Sequence, residues 1–160
     1  FVEAAARVLD KTDGVRFVMA GSGDMMNKMI DLVAQRGIAD KFHFPGFMRG
    51  RQVQEVLADS DVYIMPSVSE PFGISPLEAM QVGCPSIISH QSGCAEILSH
   101  VIKTDYWDID AMADAIYAIV KYPAMYKSLR ELGRDEVNNI KWYDVGLKVR
   151  RIYDMVINGY

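Results

Sequence analysis

Apolar and polar positions change their spacing several times along the chain, and each change marks an element. Residues 1–9 carry apolar side chains at 1, 2, 5, 8 and 9, a helical spacing. Asp13-Gly14 reads as a turn and residues 15–20 as a strand. Residues 24–36 repeat as an amphipathic helix, with Met25, Met29, Ile30, Leu32 and Val33 toward the core and Gly37 at its end. A strand over 41–44 and a helix over 51–58 follow. The apolar run Val62-Tyr63-Ile64-Met65 after Asp61 suits a buried parallel strand. Pro66 and Ser67 break it. A helix restarts at Ser75-Pro76, with Ser75 expected as N-cap and Glu78 at the capping-box position, and it stops at Gly83 and Pro85. Residues 86–89 form another strand, a short helix begins near Gly93, and Val101-Ile102 is a last brief strand. Residues 108–121, 124–139 and 142–157 read as three closing helices.

Strands alternating with helices predict an α/β domain with a doubly wound, mostly parallel sheet. No internal repeat, linker or low-complexity tract interrupts residues 1–160, so one domain is expected. In such sheets ligands bind beyond the carboxyl ends of the strands. That directs attention to Ser69-Glu70-Pro71-Phe72-Gly73-Ile74-Ser75-Pro76-Leu77-Glu78, which follows the strand ending at Met65. Glu70 lies in the loop and Glu78 in the first helical turn. Amides at a helix start favour an anion such as phosphate. Carboxylates accept strong hydrogen bonds from sugar or ribose hydroxyls. Taken singly, Glu78 could be half of a capping box, Glu70 a solvated loop residue and Gly73 a turn glycine.

Composition narrows the class. Half of the 160 residues are hydrophobic and 24% are charged, enough for a globular core. A net charge of −4 gives no nucleic-acid surface. No apolar run approaches the roughly 20 residues that span a bilayer, and no signal peptide is visible. Cys84 and Cys94 lack zinc-ligand spacing and read as buried free thiols, and the ten methionines as core filling.

The whole string from Ser69 to Met80 resembles the E-x7-E signature of family-four (group 1) retaining glycosyltransferases. Val18-Met19-Ala20-Gly21-Ser22-Gly23, Phe42-His43-Phe44-Pro45-Gly46-Phe47, Ala58-Asp59-Ser60-Asp61, Glu78-Ala79-Met80-Gln81-Val82-Gly83-Cys84-Pro85 and Trp107-Asp108 with Lys141-Trp142 fall in that family's order. The phrase Gln91-Ser92-Gly93-Cys94-Ala95-Glu96 is most similar to glycogen-synthase-like bacterial and archaeal members.

The resemblance implies the carboxyl-terminal, nucleotide-sugar-binding domain of a two-domain, cytoplasmic GT-B enzyme, moving a hexose, with glucosyl favoured. Its amino-terminal acceptor domain would be absent here. So would the first, central strand of the sheet and the Arg and Lys that meet the donor's phosphates. The open slot left by that strand implies marginal stability, rearrangement or self-association, and residues 1–160 alone are expected to be inactive. By the same resemblance Glu70 is the catalytic carboxylate beside the donor sugar. Phe72, Gly73, Ile74 and Ser75 offer amides to sugar and phosphate, and Glu78 binds the ribose. Gly21, Gly23, Gly46, Phe47 and Met48 border the cleft. No metal and no cofactor beyond the nucleotide-sugar substrate are implied. A sugar phosphorylase, a sucrose-type synthase and a non-catalytic nucleotide-sugar-binding module remain open on the same scaffold.

Other motifs are weaker. Gly21-Ser22-Gly23 begins a dinucleotide fingerprint, but Met26 stands where its third glycine belongs. Asp59-Ser60-Asp61 precedes its strand, at the end away from the cleft, and reads as a helix-ending turn. Asp108 and Asp110 suit a helix start. His43, His90 and His100 form no catalytic arrangement. Lys148, Arg150 and Arg151 read as a solvated helix face.

Overall fold

A computed structural model describes residues 1–159. Its elements alternate as expected: α1 (Val2–Leu9), β1 (Phe17–Ala20), α2 (Met26–Gln35), β2 (Phe42–Gly46), α3 (Arg51–Ala58), β3 (Tyr63–Met65), α4 (Ser75–Gln81), β4 (Ser86–Ser89) and β5 (Ile102–Thr104). The helices α5 (Ile109–Lys121), α6 (Pro123–Asn138) and α7 (Trp142–Asn158) close the chain. Short 3-10 turns occupy Ala39–Lys41 and Gly93–Glu96.

Every strand pairing is parallel, and the strands form two sheets, β1-β2 and β3-β4-β5. β1 and β3 therefore each keep one edge that no described strand occupies. Phe17, Val18, Met19 and Ala20 on one side and Val62, Tyr63 and Ile64 on the other line a groove of about 820 Å³. Phe1, Ile116 and Val120 close it from the helical side. An unpaired edge of this kind is the feature expected from a sheet lacking its central strand.

The core explains why the two sheets still hold together. β4 alternates between faces, as period 2 requires. Ile87 packs with Ala4, Ala5 and Val8 of α1, Phe17 of β1, and Met112, Ile116 and Ile119 of α5. Its neighbour Ile88 points the other way, to Met65, Met80, Cys94 and Leu98. Both faces of β4 are covered, and all four of its residues, the flanking Ser86 and Ser89 included, are buried. Phe17 and Phe42 stack at 5.2 Å, and Phe1 meets both rings edge-on at 5.8 and 5.9 Å, tying β1 and β2 to the start of α1.

Two expectations change. Of the predicted inward face of α2, only Val33 is buried; Met25 is 54% and Ile30 43% exposed. α2 packs on α1 and on the Ala39–Lys41 turn, which leave most of its turns uncovered. The N-cap of α4 is Ile74 rather than Ser75, Ser75 is the first helical residue, and no side chain caps the helix. The last helix, α7, buries none of its residues, and Lys148, Arg150 and Arg151 on it are exposed. No described helix is long and apolar enough to cross a membrane.

Candidate functional site

The predicted site residues gather where the strands end. Gly21 follows β1, and its amide donates to the Gly46 carbonyl at the end of β2 at 2.8 Å, joining the first two loops. Positive φ values of 138°, 152° and 78° at Gly21, Gly23 and Gly46 allow the chain to turn there without a Cβ penalty. Gly21, Phe47, Met48 and Ser75 share the lip of the groove between the sheets, with Pro66 and Tyr63 beside them. Gly21 and Gly23 also line a smaller hollow of about 190 Å³ with Met25, Met26 and Met29. Glu70, Phe72, Gly73, Ile74 and Glu78 line neither cavity; they follow β3, with Phe72, Ile74 and Glu78 exposed and Glu70 and Gly73 half-buried.

Tyr63 ties the two carboxylates together. Burial raises its pKa, a hydrogen bond with Ser75 opposes the rise, and the negative fields of Glu78 and Glu70 add to it. Both carboxylates are thus within electrostatic reach of one hydroxyl. Sequence reasoning passed over Tyr63, whose only signal was one hydroxyl in an otherwise apolar run.

Neither carboxylate is used by the protein. Because α4 has no side-chain cap, Glu78 is not half of a capping box, and its side chain is exposed. Among the described residues, the side chains of Glu70 and Glu78 make no hydrogen bond and no ion pair. The amides of Phe72, Gly73, Ile74 and Ser75 likewise donate to no protein acceptor among the described residues. Those of Leu77 and Glu78 already bond to the Ile74 carbonyl, at 2.9 and 3.1 Å. Phe72 is 39% and Ile74 60% exposed, and Gly73 and Ser75 are half-buried. An array of free donors beside two free carboxylates can hold an anion and a polyol together.

The loop holding this array is tightly set. Gly73 has φ 88°, and a Cβ there would come within 2.8 Å of Met65 Cε and 3.2 Å of Glu70 Cγ. Glycine at 73 thus lets the Glu70 stem pack against the end of β3. From the other side Ser92 forms a parallel bridge to Glu70. The sequence reads a strand end at Ser89, the family phrase from Gln91 and a short helix near Gly93, but the contact of this segment with the loop has no local signature.

The remaining polar groups are structural. Asp108 caps α5 by accepting from the Ala111 amide at 2.9 Å, and Asp110 pairs with Arg7. Asp59 ends α3, and Asp59 and Asp61 line the groove at the amino end of β3, away from the loops. Burial would raise the Glu136 carboxyl, but the amides of His100 and Ser99 and the His100 ring outweigh it and hold it below the ordinary value. Cys84 and Cys94 are free and buried, with burial pushing Cys84 up to about 12. Among the described residues no three His, Cys, Asp or Glu side chains converge as metal ligands would.

The chain is similar to known proteins in both sequence and fold. A family model described as "Glycosyl transferases group 1" matches residues 1–136. A 2-deoxystreptamine N-acetyl-D-glucosaminyltransferase of Niallia circulans is 30% identical over 86% of the chain, which spans only 36% of that relative's length. The C-terminal domain of a group 1 glycosyltransferase, LpcC, from Francisella tularensis superposes with a TM-score of 0.78 at 22% identity, covering 86% of this chain and 75% of that one. Anabaena HepE, solved in complex with UDP-glucose, gives a TM-score of 0.82 at 16% identity, covering 96% of this chain and 43% of that one.

Proposed function

The chain belongs to the group 1 glycosyltransferases, and on that premise we propose that it is the donor half of a retaining hexosyltransferase using a nucleoside-diphosphate sugar. One observation carries the reading. Two carboxylates and a run of amides that the fold leaves unspent meet at the carboxyl end of a parallel sheet. A nucleotide sugar presents ribose hydroxyls, a diphosphate and sugar hydroxyls in a row. Glu78 takes the ribose, the amides of residues 72–75 take the distal phosphate, and Glu70 faces the sugar. The base lies over Gly46, Phe47 and Met48, with Gly21 and Gly23 at the border.

The chemistry follows from where charge develops. As the bond from the anomeric carbon to the diphosphate breaks, the ring carbon gains positive charge and the leaving oxygens gain negative charge. A carboxylate fixed beside the sugar and N–H groups fixed beside the phosphate oppose those charges without having to reorganise. The acceptor site and the cations that meet the rest of the diphosphate charge are assigned to the remainder of the enzyme, since the chain spans about a third of its relative. In this reading the full-length enzyme works in the cytoplasm with no metal. Residues 1–160 taken alone turn over no donor and associate through the free edges of β1 and β3.

Thermal-shift screening of the full-length protein against nucleotide sugars tests the proposal. The expected result is stabilisation by one nucleotide sugar and by its nucleoside diphosphate. No shift with any of them contradicts it, and phosphate-dependent sugar release would select a phosphorylase instead.

A further inference from the structure

We infer that the segment from Ser89 to Cys94 is the mould that shapes the Glu70 loop, and that Gly93 is a positioning residue for Glu70. The inference rests on the donor reading above for its link to catalysis.

Four hydrogen bonds join this segment to the loop. The Ser89 hydroxyl donates to the Ser67 carbonyl at 2.6 Å. The Glu70 amide donates to the Gln91 carbonyl at 3.4 Å, and the Gly93 amide donates to the Glu70 carbonyl at 2.9 Å. The Cys94 amide donates to the Phe72 carbonyl at 2.7 Å. The backbone of Glu70 is thus gripped on both its N–H and its C=O. Ser89 and Ser92 are buried, and their hydroxyls meet at 3.0 Å. β4 anchors the segment in the core through Ile87 and Ile88, each 1% exposed.

Gly93 makes this grip possible for a reason other than backbone freedom, since its φ lies outside the left-handed region. A Cβ at 93 would stand 2.0 Å from the Pro71 carbonyl oxygen, 2.9 Å from the Pro71 carbonyl carbon and 3.1 Å from Phe72 Cα. All three are backbone atoms, so no rotamer change relieves the clash. The two segments must part by at least 1 Å before the oxygen contact reaches 3.0 Å. A displacement of that size at a reacting centre costs on the order of 100-fold in rate. Glu78 sits on α4, beyond the clamped stretch, and keeps its place.

The test uses the full-length protein with Gly93→Ala, Ser89→Ala and the control Gly14→Ala, whose added Cβ meets nothing nearer than 3.9 Å. Three readings are taken: kcat for sugar transfer, Kd for the nucleoside diphosphate, and amide hydrogen exchange in peptides spanning 70–72 and 93–94. For Gly93→Ala, kcat falls about 100-fold, nucleoside-diphosphate Kd changes by less than about tenfold, and protection at 93–94 is lost. Ser89→Ala removes one tie without a clash and lowers kcat about tenfold with the same split. Gly14→Ala changes none of the three. A folded Gly93→Ala protein with kcat within about threefold of wild type overturns the inference. So does unprotected exchange at 93–94 in the wild type. If Gly93→Ala does not fold, Ser89→Ala decides, and an unchanged kcat there overturns it. A wild-type enzyme that moves no sugar sinks the donor reading instead, while the exchange data still judge the mould.

Discussion

Replacing Glu70 by glutamine isolates one charge. The backbone of residue 70 is held by the Gln91 carbonyl and the Gly93 amide, so the substitution leaves the loop where it is. The side chain has no ion-pair partner among the described residues, and its removal strands no cation. What changes is a single negative charge facing a sugar ring that becomes cationic. At about 5 Å and an effective dielectric of about 20, that interaction is worth about 3 kcal/mol, or on the order of 100-fold in rate. The assay is donor turnover by the full-length enzyme, with kcat and KM separated, alongside calorimetric binding of the nucleoside diphosphate. The expected result is a kcat loss of about 100-fold, with nucleoside-diphosphate binding nearly unchanged because the ribose sits on Glu78. Activity within about threefold of wild type would refute the reasoning and favour a non-catalytic module.

Three further predictions rest on other parts of the structure. Gly73→Ala combines a left-handed backbone with contacts at 2.8 Å to Met65 and 3.2 Å to Glu70, and it lowers transfer at least tenfold while destabilising the fold by about 2 kcal/mol; equal urea midpoints for both proteins contradict this. Glu136 is depressed from the ordinary 4.5, so its stabilising contribution is complete above that pH and is lost as pH falls below it. Glu136→Ala should therefore cost about 2 kcal/mol near neutrality and much less in acid, read from urea unfolding at both pH values; a cost independent of pH argues against the account. Residues 1–160 expressed alone should sediment as associated or unfold over a broad range, because the β1 and β3 edges face an open groove. A monomer with one sharp, two-state transition would count against that reading.

The order of elements was legible because period and punctuation agree. Val62 to Met65 is an apolar run suited to a buried parallel strand, and Tyr63–Met65 is that strand. The boundaries at Arg51–Ala58 were equally plain, set by a glycine before and an aspartate after. The exposed face of α2 was not legible, because hydrophobic spacing reports which side faces inward and not how much protein lies there to meet it. The cap of α4 was misplaced for a related reason. Ser75 has the right chemistry, but Gly73 turns the chain one residue early and Ile74 takes the cap position. At the site, Glu70 and Glu78 drew attention by their places after a strand and at a helix start, and their roles came from the resemblance of the whole string Ser69 to Met80 to the E-x7-E signature. The grip of Gly93 on Pro71 joins residues more than twenty apart, through a contact only three dimensions contain.

A crystal structure of the full-length protein with its nucleotide sugar tests the central claim most directly. The expected result is ribose hydroxyls on the Glu78 carboxylate, sugar hydroxyls on Glu70, and the distal phosphate within hydrogen-bond reach of the amides of residues 72–75. A nucleotide bound away from the carboxyl ends of β1, β2 and β3, with Glu70 and Glu78 untouched, would contradict it.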